Sequence, residues 1–349
     1  MQFGRTSDLD RIQRILEIAM TALQDELKRE ILGSPCLFPM DRSTDGQWVH
    51  FIRLTEEDYR RASFMDRRML SEAEALGQPF KSGNIPWPLF APWTLELPVR
   101  CDFIFHISHA GSTMLARMLG EHPDCLSIRE PWLLRSLVEP TSSDLIRGFL
   151  ALWSRSFRPN QRSLIKATSF VSQIGERLME HDSDSKAVLM YVPAETFLAS
   201  VLDGSMSDID SNAAARWARL PQHAAGSLAL SELSPGQRAA MSWFAEMESL
   251  RHLHRLFPNR TLFLDFDAFL RDLPVHLKTV SQWLGLRGHE SSMLESPTIQ
   301  RYAKKLDVPY DSDFRRRLLE QSRVQHQAEI AKGLRWLEGT PSAGLTGPE

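Results

Sequence analysis

Hydrophobic positions in the first third of the chain recur at helical spacing. Leu9, Ile12, Ile15, Leu16, Ala19, Leu23, Leu27 and Ile31 step by three and four, which predicts one amphipathic helix begun by Ser7 or Asp8 and ended at Gly33-Ser34-Pro35. Residues 55–76 repeat the pattern with more charge, and Thr55 and Asp58 form a capping-box signature. The stretch KSGNIPWPLFAPWTLELP carries four prolines and two tryptophans, which predicts an extended, packed segment. From residue 101 the pattern changes. Continuous apolar runs at 101–107, 125–128, 163–167, 186–192 and 261–266 alternate with helical stretches, as in a parallel sheet buried on both faces. No strand is expected between 192 and 260, where 194–203, 211–220 and 236–257 read as helices, and 272–285 is amphipathic.

The fold expected is therefore α/β, a P-loop-type parallel sheet of about five strands flanked by helices, with an N-terminal helical extension. The boundaries read as a helical extension over 1–98, an α/β domain over 99–290, a C-terminal helical segment over 291–337 closing the site, and a disordered tail over 338–349.

Composition narrows the function classes. The 349 residues are 42% hydrophobic and 24% charged, with a formal net charge of -3, so no bulk attraction to nucleic acid or anionic membrane is expected. Cys36, Cys101 and Cys125 are widely spaced and fit no metal-ligand pattern, which points to free thiols and no metal. No apolar signal core or membrane-length run is present, and the expectation is a cytoplasmic protein.

The chemistry is concentrated at HISHAGSTMLARML, 106–119. A strand runs into a small turn with hydroxyls and then a helix, whose N-terminal N–H groups favour an anion. Ser108, His109, Ala110, Gly111, Ser112 and Thr113 form the loop; Gly111 allows close backbone approach, and Ser112 and Thr113 can donate to phosphate oxygens. A Walker A loop would carry GxxxxGK[ST]; here its first glycine and its lysine are missing. A plain strand–helix turn capped by serine is the alternative reading.

Aligned on the glycine, His109-Ala110-Gly111-Ser112-Thr113 resembles the 5′-phosphosulfate loop of sulfotransferases, with histidine where that family has lysine. FHISHAGST followed by LARML and HPD is similar to a bacterial sulfotransferase-like branch. SLIKATSF matches the family's strand ending in Lys-Thr-His, with Lys166 as the lysine and Thr168 where a catalytic histidine stands in cytosolic members. HPDCLSIREP places Glu130 at the glutamate base of the carbohydrate enzymes. LMYVPAETFLASVL resembles the Arg-Asn-Pro…Ser motif for the donor's 3′-phosphate, with Tyr191 in the arginine position and Ser200 one residue late. RTLFLDFDAFLRDLPVHLKTVSQWLGL follows the family's closing strand, turn and helix, and RYAKKLDVPYD is similar to its basic late loop.

The resemblance implies transfer of a sulfuryl group from 3′-phosphoadenosine 5′-phosphosulfate (PAPS) to a hydroxyl or amine of a small-molecule or carbohydrate acceptor, by in-line displacement without a metal. It implies the loop and Ser200 as donor ligands, Lys166 on the bridging oxygen, Glu130 as base, and His109 as a protonated phosphate contact, a neutral base or a turn residue. Arg117, Arg129 and Arg135 are further candidate anion ligands. The bland alternatives stand beside these: Glu130 as a helix cap, Lys166 as a solvated strand-end charge, and His106 as a buried, hydrogen-bonded strand residue. Two other functions stay open. One is an ATP-dependent phosphotransferase using Asp265 and Asp267 for Mg²⁺. The other is a degenerate nucleotide-binding relative, favoured by His109, Thr168 and Tyr191. Homodimerisation is common among such enzymes.

Overall fold

A computed structural model describes residues 8–220, 229–296, 301–302, 305–309 and 312–340, without the side chains of 8–16 and 301–312. Every predicted strand of the parallel sheet is present: β4 (Cys101–His106), β5 (Cys125–Arg129), β6 (Arg162–Lys166), β7 (Ala187–Tyr191) and β8 (Thr261–Asp265) follow three earlier strands in chain order. They pair in the order β5-β6-β4-β7-β8, all parallel. Helices cover both faces, so the strands are sealed: all of β4, β5 and β7 is buried, which explains their uninterrupted apolar runs. The helices expected after residue 192 are found at Ala194–Leu202, Met206–Trp217, Pro235–Leu256 and Leu273–Trp283, with no strand between β7 and β8 among the described residues.

The first hundred residues hold more than helix. The expected long helix runs Asp8–Gly33 and is followed by an antiparallel sheet of β1 (Leu37–Arg42), β2 (Trp48–Arg53) and β3 (Ser82–Pro86). The helix expected over 55–76 is two helices, Glu56–Arg61 and Arg67–Ala75, the first with the predicted Thr55/Asp58 capping box and the second capped by Asp66. Tertiary bonds make the break. Met65 N–H donates to Arg129 O at 2.6 Å and Trp132 N–H to Met65 O at 3.0 Å, which stitches 62–66 along the end of β5. The proline-rich stretch expected to be extended becomes β3 and then a helix, Trp87–Thr94, whose Pro88 sits in the first turn, where no N–H is needed.

One hydrophobic core spans these parts, from Ile31 and Phe51 through Phe103 and Leu189 to Ile330 and Leu337. The C-terminal helix extends through Glu338, and the Thr340 hydroxyl donates to Trp336 O, so chain expected in the tail is ordered to that point; 341–349 lie outside the described residues. So do the side chains of the basic late loop, 301–311, whose backbone pairs Arg301–Tyr302 with Lys305–Pro309. No described helix is long and apolar enough to cross a membrane.

The strand order fixes where a ligand crevice forms. The chain leaves β4, the central strand, toward β5 and β6 on one side and later crosses to β7 and β8 on the other. The carboxyl end of β4 is therefore the switch point of the sheet, where the flanking connections diverge and open a crevice.

Candidate active site at the switch point

The loop after β4 occupies that crevice. Ser108 and His109 hold left-handed backbone (φ 68° and 50°), as does Gly111 (φ 66°), which precedes the helix Ser112–Leu119. A side chain at Gly111 is excluded twice: by this φ and by the Phe266 ring, which lies 2.0 Å from where a Cβ would be. The N–H groups of Ala110, Gly111, Ser112 and Thr113 meet no acceptor among the described residues, and neither the Ser112 nor the Thr113 hydroxyl has a protein partner. Yet Ala110, Ser112 and Thr113 are 0%, 4% and 8% exposed. Buried backbone N–H groups without a protein acceptor are met by water or a ligand, and N–H groups at a helix N-terminus favour an anion.

His106 braces this loop. Its Nδ1 accepts from Ser108 N–H at 3.0 Å, so the other ring nitrogen carries the proton and Nε2 donates to Ala167 O at 2.9 Å. The ring thus ties the loop to the end of β6. Burial, reinforced by the Lys166 charge, holds its pKa well below the ordinary histidine value, and the imidazole is neutral. The expectation of a buried, hydrogen-bonded histidine is met.

Glu130 and Lys166 are brought together. Register pairs Arg129 with Lys166, and Glu130 N–H donates to Lys166 O at 2.7 Å. Glu130 is held at φ 52°, a third left-handed non-glycine among the residues singled out from the sequence. This turns its carboxylate back onto the Lys166 ammonium in a direct ion pair. Lys166 is 1% exposed, so it is no solvated strand-end charge. Its pKa is lowered by burial, while Glu130 pulls the other way. The second Glu130 oxygen accepts from Arg68 at 3.3 Å, and Arg68 in turn grips Asp66. Arg68 and Asp66 were not anticipated, because residues 55–76 read as one surface helix.

The other arginines divide. Arg129 is buried and donates to Ala62 O, Tyr59 O and Arg60 O, closing the C-terminus of the helix Glu56–Arg61; burial first, and then Arg117, depress its pKa to about 9. Arg117 is buried against the Ser63 hydroxyl. Both are bound up in protein contacts and are not the anion ligands proposed for them. Arg135 stacks on Trp132 and Phe170, with no acid or carbonyl partner among the described residues.

Across the switch point, Tyr191 ends β7 opposite Asp265 and stands edge-on to Phe263. The Ser200 hydroxyl donates to Thr196 O at 2.9 Å, one turn back on its own helix. A cation unseen from the sequence reaches that helix: Arg323 donates to Glu195 Oε1 at 2.9 Å and Thr196 Oγ1 at 3.4 Å. His109 packs edge-on to Phe197 of the same helix. Thr168 leads into a 3₁₀ turn anchored by Arg216, which bonds Ser169 Oγ and the fully buried Glu246 carboxylate. Asp265 caps the helix Phe266–Arg271 through the N–H groups of Asp267 and Ala268, and Asp267 is paired with Arg315 at 2.9 Å. Both carboxylates offered for Mg²⁺ thus have structural partners.

No protein-family model matches this chain, and no curated protein matches it in sequence. Solved structures do match in shape. The sulfotransferase domain from the curacin biosynthetic pathway aligns with a TM-score of 0.45 at 14% identity, over 69% of this chain and 97% of its own. Sulfotransferase STF1 from Mycobacterium tuberculosis H37Rv aligns with a TM-score of 0.43 at 13% identity, over 77% and 83%. Mouse sulfotransferase SULT7A1, solved with PAP, aligns with a TM-score of 0.32 at 12% identity, over 72% and 93%. In each of the three, what this chain is similar to is a sulfotransferase.

Proposed function

We propose that this protein transfers the sulfuryl group of PAPS to a hydroxyl or amine of a small acceptor, with the site at the carboxyl end of β4. The observation that carries the reading is the buried Lys166–Glu130 pair beside a loop of unmatched N–H and hydroxyl donors, joined to it through His106. The loop donors from Ala110 to Thr113 hold the donor's 5′-phosphate, and the residues fit this task because no acceptor among the described residues competes for them. The acceptor oxygen or nitrogen attacks sulfur. The bond from sulfur to the bridging oxygen breaks, and adenosine 3′,5′-bisphosphate leaves. Lys166 stabilises charge on the departing oxygen. Glu130, whose carboxylate is paired with Lys166 and Arg68, takes the acceptor's proton. The sequence resemblance of five motifs in family order supports the same assignment.

The phosphotransferase reading is weaker, since Asp265 and Asp267 are engaged as a helix cap and an ion pair. Thermal unfolding with three nucleotides separates them. Adenosine 3′,5′-bisphosphate alone should raise the midpoint, because binding to the native state stabilises by mass action. A rise only with Mg-ATP would overturn the proposal. A rise with the bisphosphate but no transfer to a panel of phenols, alcohols and sugars would mark a binding protein that has lost the reaction.

A further inference from the structure

Two guanidinium groups on Trp132, two residues from Glu130, have no counter-ion among the described residues. Arg67 and Arg135 each lie over the Trp132 ring, 4.7 Å from its centre, so they stand no more than twice that distance apart. Neither forms an ion pair or side-chain hydrogen bond among the described residues, whereas most arginines around this site do. Trp132 is two residues from Glu130, and Arg67 adjoins Arg68, which contacts the Glu130 carboxylate. Arg135 also lies over Phe170, two residues beyond Thr168. The indole therefore holds two cations without an acidic partner among the described residues, at the ends of β5 and β6.

A cavity of about 730 Å³ opens from two of these residues, Arg67 and Trp132, toward the antiparallel sheet. Its wall includes Trp132, Arg67, Leu70, Met40 and Trp48. The volume suits a small organic molecule, and the aromatic and aliphatic wall suits an apolar body. Asp41, Arg42 and Glu74 also line it. Glu74 lies seven residues, about two turns, along the helix from Arg67, so it does not neutralise the cations at Trp132.

We infer that this cavity takes an acceptor with an apolar body and one acidic group, which Arg67 and Arg135 hold beside Trp132. This rests on Glu130 and Lys166 being the transfer site. Guanidinium forks match carboxylate, phosphate or sulfonate oxygens, and a stacked guanidinium gives up little freedom in binding them. The acidic group sets the orientation at Trp132, two residues from Glu130, and the apolar body lies along the cavity wall.

Titration calorimetry on the full chain tests it, with 6-hydroxy-2-naphthoate and its uncharged amide 6-hydroxy-2-naphthamide as probes. The naphthoate should bind about tenfold or more tightly than the amide. Arg67→Gln and Arg135→Gln should each cut that preference severalfold, and the double variant should remove it. The bisphosphate should stabilise all three variants as it does the parent. Equal affinity for the two probes overturns the inference, as does absence of naphthoate binding or a preference that survives in the double variant. Loss of bisphosphate binding in the parent with the naphthoate preference intact would overturn the transfer function and leave the anion subsite standing.

Discussion

Replacing Lys166 by methionine keeps the buried stem and removes only the ammonium, so its cost isolates the ion pair with Glu130. Lys166 is 1% exposed, and the Glu130 side chain 11%. Breaking a buried pair by removing one partner costs about 3–5 kcal/mol, because the other charge stays buried without compensation. Here Arg68 remains 3.3 Å from the second Glu130 oxygen, but its own side chain is 51% exposed, so it recovers no more than about 1 kcal/mol. The expected loss is about 2–4 kcal/mol in urea unfolding followed by tryptophan fluorescence. Glu130→Gln removes the orphaned charge, so Lys166→Met made in that background should cost under about 1 kcal/mol. The coupling across this double-mutant cycle should then be about 2–3 kcal/mol. Additivity within about 0.5 kcal/mol would show that the two groups do not act on each other in solution, and the proposed base and cation would lose their common origin.

Other consequences are as direct. Glu130→Gln should abolish sulfuryl transfer while bisphosphate affinity, measured by calorimetry, changes less than threefold; retained transfer would remove Glu130 as base. Ser112→Ala with Thr113→Val should weaken bisphosphate binding by about tenfold, roughly 1.4 kcal/mol, since two hydroxyl donors are lost from the loop. Gly111→Ala should destabilise by roughly 2–5 kcal/mol, because the methyl meets the Phe266 ring at a left-handed φ; a change below 1 kcal/mol would contradict this packing. His106 gives a pH signature. Its folded pKa is well below that of the unfolded chain, so the unfolded state alone takes up a proton as pH falls below about 6.5. Stability should be full above that pH and fall below it by up to about 1.4 kcal/mol per unit, and His106→Gln should flatten that part of the profile.

The parallel sheet was legible because a strand buried on both faces leaves an unbroken apolar run, as CDFIFH and AVLMY do. The loop was legible because Gly111 and two hydroxyls sit between strand and helix. The antiparallel sheet was not. β1 contains a proline, β3 is SGNIP, and their pairing with β2 is set by tertiary context. The break at 62–66 was hidden for the same reason: its causes are Arg129 and Trp132, more than sixty residues away. Arg68 then joined the site without a local signal. Arg117 and Arg129 looked like surface or ligand cations, but a buried arginine with enough carbonyls or hydroxyls around it serves as structure.

The left-handed residues explain why the pair and the loop occur together. Four non-glycine residues are held at positive φ among those described, and Ser108, His109 and Glu130 are three of them. Each such residue costs of order 1–3 kcal/mol and persists where surrounding contacts force it. Here the forcing contacts can be named. His106 pins Ser108 N–H, Phe197 abuts His109, and the Lys166 carbonyl and ammonium hold Glu130 at both backbone and side chain. Strain at 108–109 aims the following N–H groups into the crevice, and strain at 130 keeps its carboxylate on Lys166. His109 fits this account, because the loop's backbone is shaped without a lysine in it. His109→Lys should therefore strengthen bisphosphate binding most at alkaline pH, where lysine keeps its charge. An affinity unchanged from pH 6 to 9 in both proteins would show that the backbone donors hold the anion alone.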